Sequence, residues 1–177
     1  MQTKIRQPLV ISDTSPLVAL GKQSRLDILK VLYGHIVIPP TVKEETERLL
    51  SGFSGLNTFQ NSSWIEVRNS ANPARSKHWR IIVGLGPGES EAVALAEEQP
   101  SLLLVDELKT RELLKDHPKI TIVTTCEILF RAQSLGYLAD MCDLLSEMVR
   151  SKSLRLAKKD FEKYCPNYHP SPYRSNK

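Results

Sequence analysis

One unit recurs along this chain: a short apolar run, a polar break, then a stretch with helical spacing. Leu102-Leu103-Leu104-Val105 is apolar at every position. That is the pattern of a strand covered on both faces in a parallel sheet, not of a strand with one wet face. Leu9-Val10-Ile11, His35-Ile36-Val37-Ile38, Trp64-Ile65-Glu66-Val67 and Ile120-Thr121-Ile122-Val123 read as further strands, rich in β-branched residues and bounded by turn formers. Helices are expected between them. One starts with Ser15 as N-cap and Pro16 at the first helical position. Others run from Arg25 to Leu32, from Thr41 or the prolines before it to Leu50, over Gly88 to Ala96, Glu107 to Lys115, Glu127 to Leu135 and Leu138 to Arg150. This alternation predicts an α/β domain with a mostly parallel sheet.

The 177 residues suffice for one domain with a substantial core. Apolar residues at 41% and charged residues at 25% are globular usage, and no apolar run approaches the roughly 20 residues of a membrane helix. Asp13 interrupts the first apolar stretch, which argues against a signal peptide and for a cytoplasmic protein. Cys126, Cys142 and Cys165 are odd in number and widely spaced. We therefore expect neither a disulfide framework nor a zinc site, and read Cys126 and Cys142 as small core residues. Ser51 to Pro87 is the least regular segment, with one strand in surroundings rich in Ser, Asn and Gly. From Arg150 to Lys177 there are eight basic residues and two acidic ones, a net +6 in a chain of net +4. Its favoured reading is a solvated, loosely attached tail; the sharper alternative is a phosphate-contacting surface.

Chemistry is expected where strands end, because ligands of open parallel sheets bind beyond the carboxyl ends. Two of the strands run into an aspartate, Asp13 and Asp106. Either could simply cap the helix after it. Glu44-Glu45 lies early in a helix following a strand, and Glu89 opens a helix after the Gly86-Pro87-Gly88 turn. Charge at a helix N-terminus, worth about 0.3–1 kcal/mol, accounts for any one of these. It does not account for several elements presenting an acid at what would be one edge of the sheet.

These residues resemble the PIN-domain family, in particular its toxin-like ribonuclease branch (VapC-like). Val10-Ile11-Ser12-Asp13-Thr14-Ser15-Pro16 is similar to its first motif, and Ile38-Pro39-Pro40-Thr41-Val42-Lys43-Glu44-Glu45 to its second. The stretch from Gly88 to Ala96 is similar to the third, and Leu103-Leu104-Val105-Asp106-Glu107 to the fourth. Thr124-Thr125 and Gly136-Tyr137-Leu138 resemble the closing segment. The resemblance covers about residues 8 to 157. It implies a three-layer α/β/α sandwich and a site built from Asp13, Glu45, Glu89 and Asp106, binding Mg²⁺ or Mn²⁺, with Thr14 or Ser15 orienting the first aspartate. Glu45 is preferred to Glu44 and Glu89 to Glu91, since only one of each pair can face the site. The third motif carries Glu rather than the commoner Asp, Leu104 stands where Thr is frequent, and Glu127 where a small residue is usual. Residues 1–157 are accordingly expected to form the PIN-like nuclease domain, with 51–87 as an irregular insertion and 158–177 as a basic C-terminal tail.

The function this implies is metal-dependent cleavage of single-stranded RNA, as the toxin of a toxin–antitoxin pair. Its expected partners are RNA, a small antitoxin protein and a second copy of the chain, the Ala-rich and Leu-rich helices offering apolar faces; no membrane partner is expected. Lys22, Arg25, Lys109 and Arg111 are candidate phosphate contacts. Trp64, Trp79 and Tyr137 are candidate base-stacking residues, though better read as packing. One competing reading is a catalytically silent PIN-like module that binds RNA or protein. Another is a phosphate-binding loop at Gly84-Leu85-Gly86-Pro87-Gly88, which lacks the lysine of a P-loop.

Overall fold

A computed structural model describes residues 8–169 and 171–173. The expected alternation is present. Strand β1 (Leu9–Ser12) leads into helix α1 (Thr14–Lys22), α2 (Asp27–Tyr33), β2 (Ile36–Ile38) and α3 (Pro40–Leu49). After α4 (Gly55–Gln60), β3 (Ile65–Val67) and α5 (Pro73–His78), a π-helical turn (Trp79–Val83) precedes α6 (Pro87–Ala96). Then follow β4 (Ser101–Leu104), α7 (Leu108–Leu114), β5 (Ile120–Val123), α8 (Thr125–Ser134), α9 (Met141–Arg150) and α10 (Lys158–Tyr164). The five strands form one sheet in the order β3-β2-β1-β4-β5, parallel throughout, within a three-layer α/β/α sandwich. Ile11, Val37, Leu103 and Leu104 are fully buried at its centre, as their unbroken apolar runs require.

Strand order creates the crevice. From β1 the chain moves to β2 on one side, whereas β4 pairs on the other, with Leu9 opposite Ser101 and Ser12 opposite Leu104. Between β1 and β4 the winding direction reverses, so the helices leaving the two strands diverge and open a cleft at their carboxyl ends.

Five local expectations differ from the structure. Helix α1 begins at Thr14 with Asp13, not Ser15, in the N-cap position, so Pro16 sits at its third residue. Residues 51–87 are not an irregular loop. They contain α4, the edge strand β3, α5 and the π turn, and their low hydrophobic periodicity reflects how short these pieces are. Each is docked: a Cβ on Gly55 would come within 2.0 Å of the Gly21 carbonyl oxygen, and the Trp79 indole donates to Glu97 at 3.0 Å. The C-terminal segment is not loosely attached. Phe161 of α10 is 2% exposed and meets Tyr168 and Tyr173 edge-on. Cys142 and Cys165 are joined in a disulfide; pairing 23 residues apart depends on α10 folding back onto α9, which spacing alone does not reveal. Cys126 is the buried free thiol expected. Arg174 and Lys177 of the basic segment, and Lys4 and Arg6 of the basic start, lie outside the described residues. The Ala-rich helix α6 is buried from Ala92 to Ala96, so it offers no face to a second copy.

Candidate functional site

Asp13 and Asp106 reach the same crevice because β1 and β4 are hydrogen-bonded neighbours: the Asp13 amide donates to the Leu104 carbonyl at 2.9 Å. Helices α3 and α6 pack against each other and bring Glu45 and Glu89 to the opposite wall. All four carboxylates line one cavity of about 390 Å³, together with Thr14, Ser15, Gly86 and Gly88. Glu44 is exposed and turned away. Glu91 accepts hydrogen bonds from the Thr41 amide and hydroxyl at 3.3 and 2.7 Å, tying α6 to α3. The structure therefore brings together Asp13, Glu45, Glu89 and Asp106, and leaves out the alternative member of each pair.

Each acid is held by a donor. The Thr14 hydroxyl donates to Glu45 at 2.6 Å, and the Gly88 amide to the same carboxylate at 3.3 Å. The Thr110 hydroxyl donates to Glu89, as does the Gly86 amide at 3.2 Å. Asp106 accepts from the amide and hydroxyl of Thr125 at 2.8 and 2.7 Å. It does not cap the helix that follows it, where Glu107 holds the N-cap position. Ser15, rather than Thr14, lies against Asp13, at 3.4 Å, and also accepts from the Asp106 amide at 3.3 Å. Because the amides of Gly86 and Gly88 are committed to carboxylates, the glycine-rich turn has no free cradle there for phosphate. The unusual Glu127 closes a capping box with Thr124 at the start of α8, a helix-end role away from the four acids.

The electrostatics follow from crowding. Burial pushes the Asp13 carboxyl up to about 7, helped by the charges of Glu89 and Glu45, while the amides of Thr14 and Ser15 offset part of the rise. Burial also raises Asp106, against the lowering effect of its Thr125 hydrogen bonds and of Arg111. Such a group of acids is unfavourable without a compensating charge. The donor set is all hard oxygen, which fits Mg²⁺ or Mn²⁺. As the carboxylates stand, turned toward hydroxyls and amides, no three His, Cys, Asp or Glu side chains among the described residues are already closed around a cation position. The fit is one of donor chemistry and charge.

Among the expected cations, Lys22 lines the cavity. Arg25 instead pairs with Asp27 at 3.1 Å, and Lys109 donates to the carbonyls of Val83 and Gly84. Trp79 is packed, Trp64 lies partly buried against the core, and Tyr137 is 53% exposed. Sequence reasoning missed two features. Thr110 and Thr125, buried on helices α7 and α8, serve the site through contacts set by strand order. Lys152 and Arg155, in the basic run whose favoured reading is solvated and whose alternative is a phosphate-contacting surface, line the cavity wall; the buried Leu154 between them was the available sign of their place there.

No curated protein and no solved structure matches the chain. Among the described residues no helix is long and apolar enough to cross a membrane. A family model for a PIN domain matches residues 9–167, which takes in all five strands, the four acids and the C-terminal helix α10. The chain belongs to the PIN-domain family.

Proposed function

We propose that this PIN domain is a metal-dependent endoribonuclease acting on single-stranded RNA. The observation that carries the reading is the meeting of Asp13 and Asp106 at the carboxyl ends of adjacent strands, with Glu45 and Glu89 facing them in one cavity. Family membership supports nuclease-type chemistry in general. The four acids would hold Mg²⁺ or Mn²⁺, which when bound supplies Lewis acidity toward a phosphodiester and acidifies water. The chain's own residues do the rest. Thr14, Thr110 and Thr125 fix the directions in which Glu45, Glu89 and Asp106 point, and such outer donors hold a ligand set ready for its ion. Lys22 gives the rim positive charge for the substrate backbone. Among the described residues no histidine lines the cavity, so protons released there pass to a carboxylate or to solvent.

The test is cleavage of a labelled single-stranded RNA with Mg²⁺ or Mn²⁺ and with chelator. The wild-type chain cuts only with metal, and Asp13→Asn and Asp106→Asn each lose cleavage while staying folded. Full activity in either variant refutes the assignment. A second reading, a silent module that binds RNA or protein, is favoured by one observation: the carboxylates are all satisfied by protein donors. Metal binding without cleavage would select it.

The biological setting we propose rests on the family resemblance: a cytoplasmic toxin, paired in a homodimer and held by a small antitoxin protein. Exposed Phe130, Leu135 and Tyr137 on and after α8 supply apolar surface for such contacts. Co-expression with the product of an adjacent gene should suppress cleavage, and sedimentation should give twice the chain mass.

A further inference from the structure

The basic C-terminal segment borders the carboxylate cavity without contributing an acid to it. Between α9 and α10 the chain makes a short strap, residues 151–157. Its backbone is fixed: Lys152 takes a positive φ of 57°, the amides of Ser153 and Leu154 both donate to the Met148 carbonyl, and Leu154 is 5% exposed. Anchoring Leu154 leaves Lys152 and Arg155 on the exposed side. Both line the carboxylate cavity.

Arg155 also borders a second cavity, of about 270 Å³, that shares Asp106, Glu107 and Leu154 with the first. Arg111, Lys163 and Tyr164 line it too. Glu107 and Asp160 are its other acids, so three cations face two acids once Asp106 is assigned to the metal site. Lys163 lies 5.5 Å from the Tyr164 ring centre. Among the described residues neither Lys152 nor Arg155 enters an ion pair, although five carboxylates, Glu107 among them, line the same cleft. Cations that stand beside acids without pairing with them keep their charge available to an outside anion.

Resting on the nuclease reading, we infer that the strap is a strand guide. Arg155, with Lys152, grips the backbone phosphate next to the scissile one, and the second cavity receives the neighbouring nucleotide, its phosphate toward Arg111 and Lys163 and its base toward Tyr164. Arg155 stands at the junction of the two cavities and is the pivot of this path. It is a binding and positioning residue and takes no part in proton transfer.

The experiment is fluorescence anisotropy of a short labelled single-stranded RNA with the full chain in the Asp13→Asn background, titrated over a range of salt. Removing one phosphate-binding cation lowers the slope of log affinity against log salt by about one. Arg155→Ala is expected to weaken binding about tenfold and lower the slope by about one, with Arg155→Lys recovering most of the affinity. Lys158→Ala, on the exposed side of α10 and paired with Glu162 at 3.6 Å, should stay within about twofold. Circular dichroism and melting check that each variant is folded. Affinity and slope unchanged in both Arg155→Ala and Lys152→Ala, with RNA still bound by the parent, overturn the strand guide and leave the nuclease reading standing. If the wild-type chain neither binds nor cuts RNA, the reading itself fails before any variant is compared and takes the strand guide with it.

Discussion

Asp13 is the most strongly perturbed acid of the cleft. It is 8% exposed, it faces Glu45 and Glu89, and its carboxyl is raised to about 7. A raised acid keeps its proton in the folded state after the unfolded chain has lost it. Between about pH 4 and pH 7 the native state therefore binds more protons, and stability falls as pH rises. In the metal-free protein this is worth up to about 4 kcal/mol, fully expressed above pH 7. Asp13→Asn should flatten that decline and raise the metal-free melting temperature at pH 8, while removing cleavage; an unchanged pH profile of unfolding would contradict the assigned cause. Thr125→Val removes one of two donors to Asp106 and should cost about 1–3 kcal/mol in denaturant unfolding, with reduced metal affinity. That only one member of each acid pair can face the cleft was legible from about 100° per residue; which one was a preference taken from motif position, and Glu45 and Glu89 are the members that line the cavity. The threonines were not legible. Thr110 meets Glu89 from 21 residues away and Thr125 meets Asp106 from 19, contacts created by strand order and invisible to local pattern.

Among elements, the strands read clearly because an unbroken apolar run has few other uses, and their boundaries moved by no more than a residue or two. Residues 51–87 resisted reading for a physical reason. Six-residue helices such as α4 and α5 are too short to display periodicity, and they are stable only by docking. Gly55 shows what the docking demands: its Cβ position is occupied by the backbone of Gly21, which cannot swing aside as a side chain can. Gly55→Ala should part α1 from α4 and cost about 1–3 kcal/mol, measured as a lower urea midpoint. Gly88 presents a milder case. A Cβ there would meet the Glu45 carboxylate oxygen at 2.7 Å, the end of a side chain, and the buried Val42 methyl at 3.1 Å, which needs to give by only a few tenths of an ångström. Gly88→Ala should therefore leave the fold near wild-type stability but displace Glu45, lowering cleavage by about tenfold or more; wild-type activity would show that Glu45 is not needed where it stands.

For the molecule as a whole, the C-terminal segment departs furthest from expectation. Its charges suggested solvent, yet Phe161, Tyr168 and Tyr173 form an aromatic cluster and the Cys142–Cys165 link closes it onto α9. Closing a loop of this size removes unfolded-state freedom worth about 3 kcal/mol. Treatment with a dithiol should lower the melting temperature accordingly, with the α/β core still folding as one unit. The link also sits uneasily with the expected cytoplasm, where thiols are kept reduced; labelling of Cys142 and Cys165 in freshly lysed cells would show which form the chain takes.

Four acids from separate elements gathered around a divalent cation should be visible by anomalous diffraction from crystals soaked in Mn²⁺. A peak is expected in the cleft, coordinated by Asp13 and Asp106 and approached by Glu45 or Glu89, and it should disappear in Asp13→Asn crystals. A cleft without manganese at saturating concentration, or a peak that survives in the variant, would contradict this assignment.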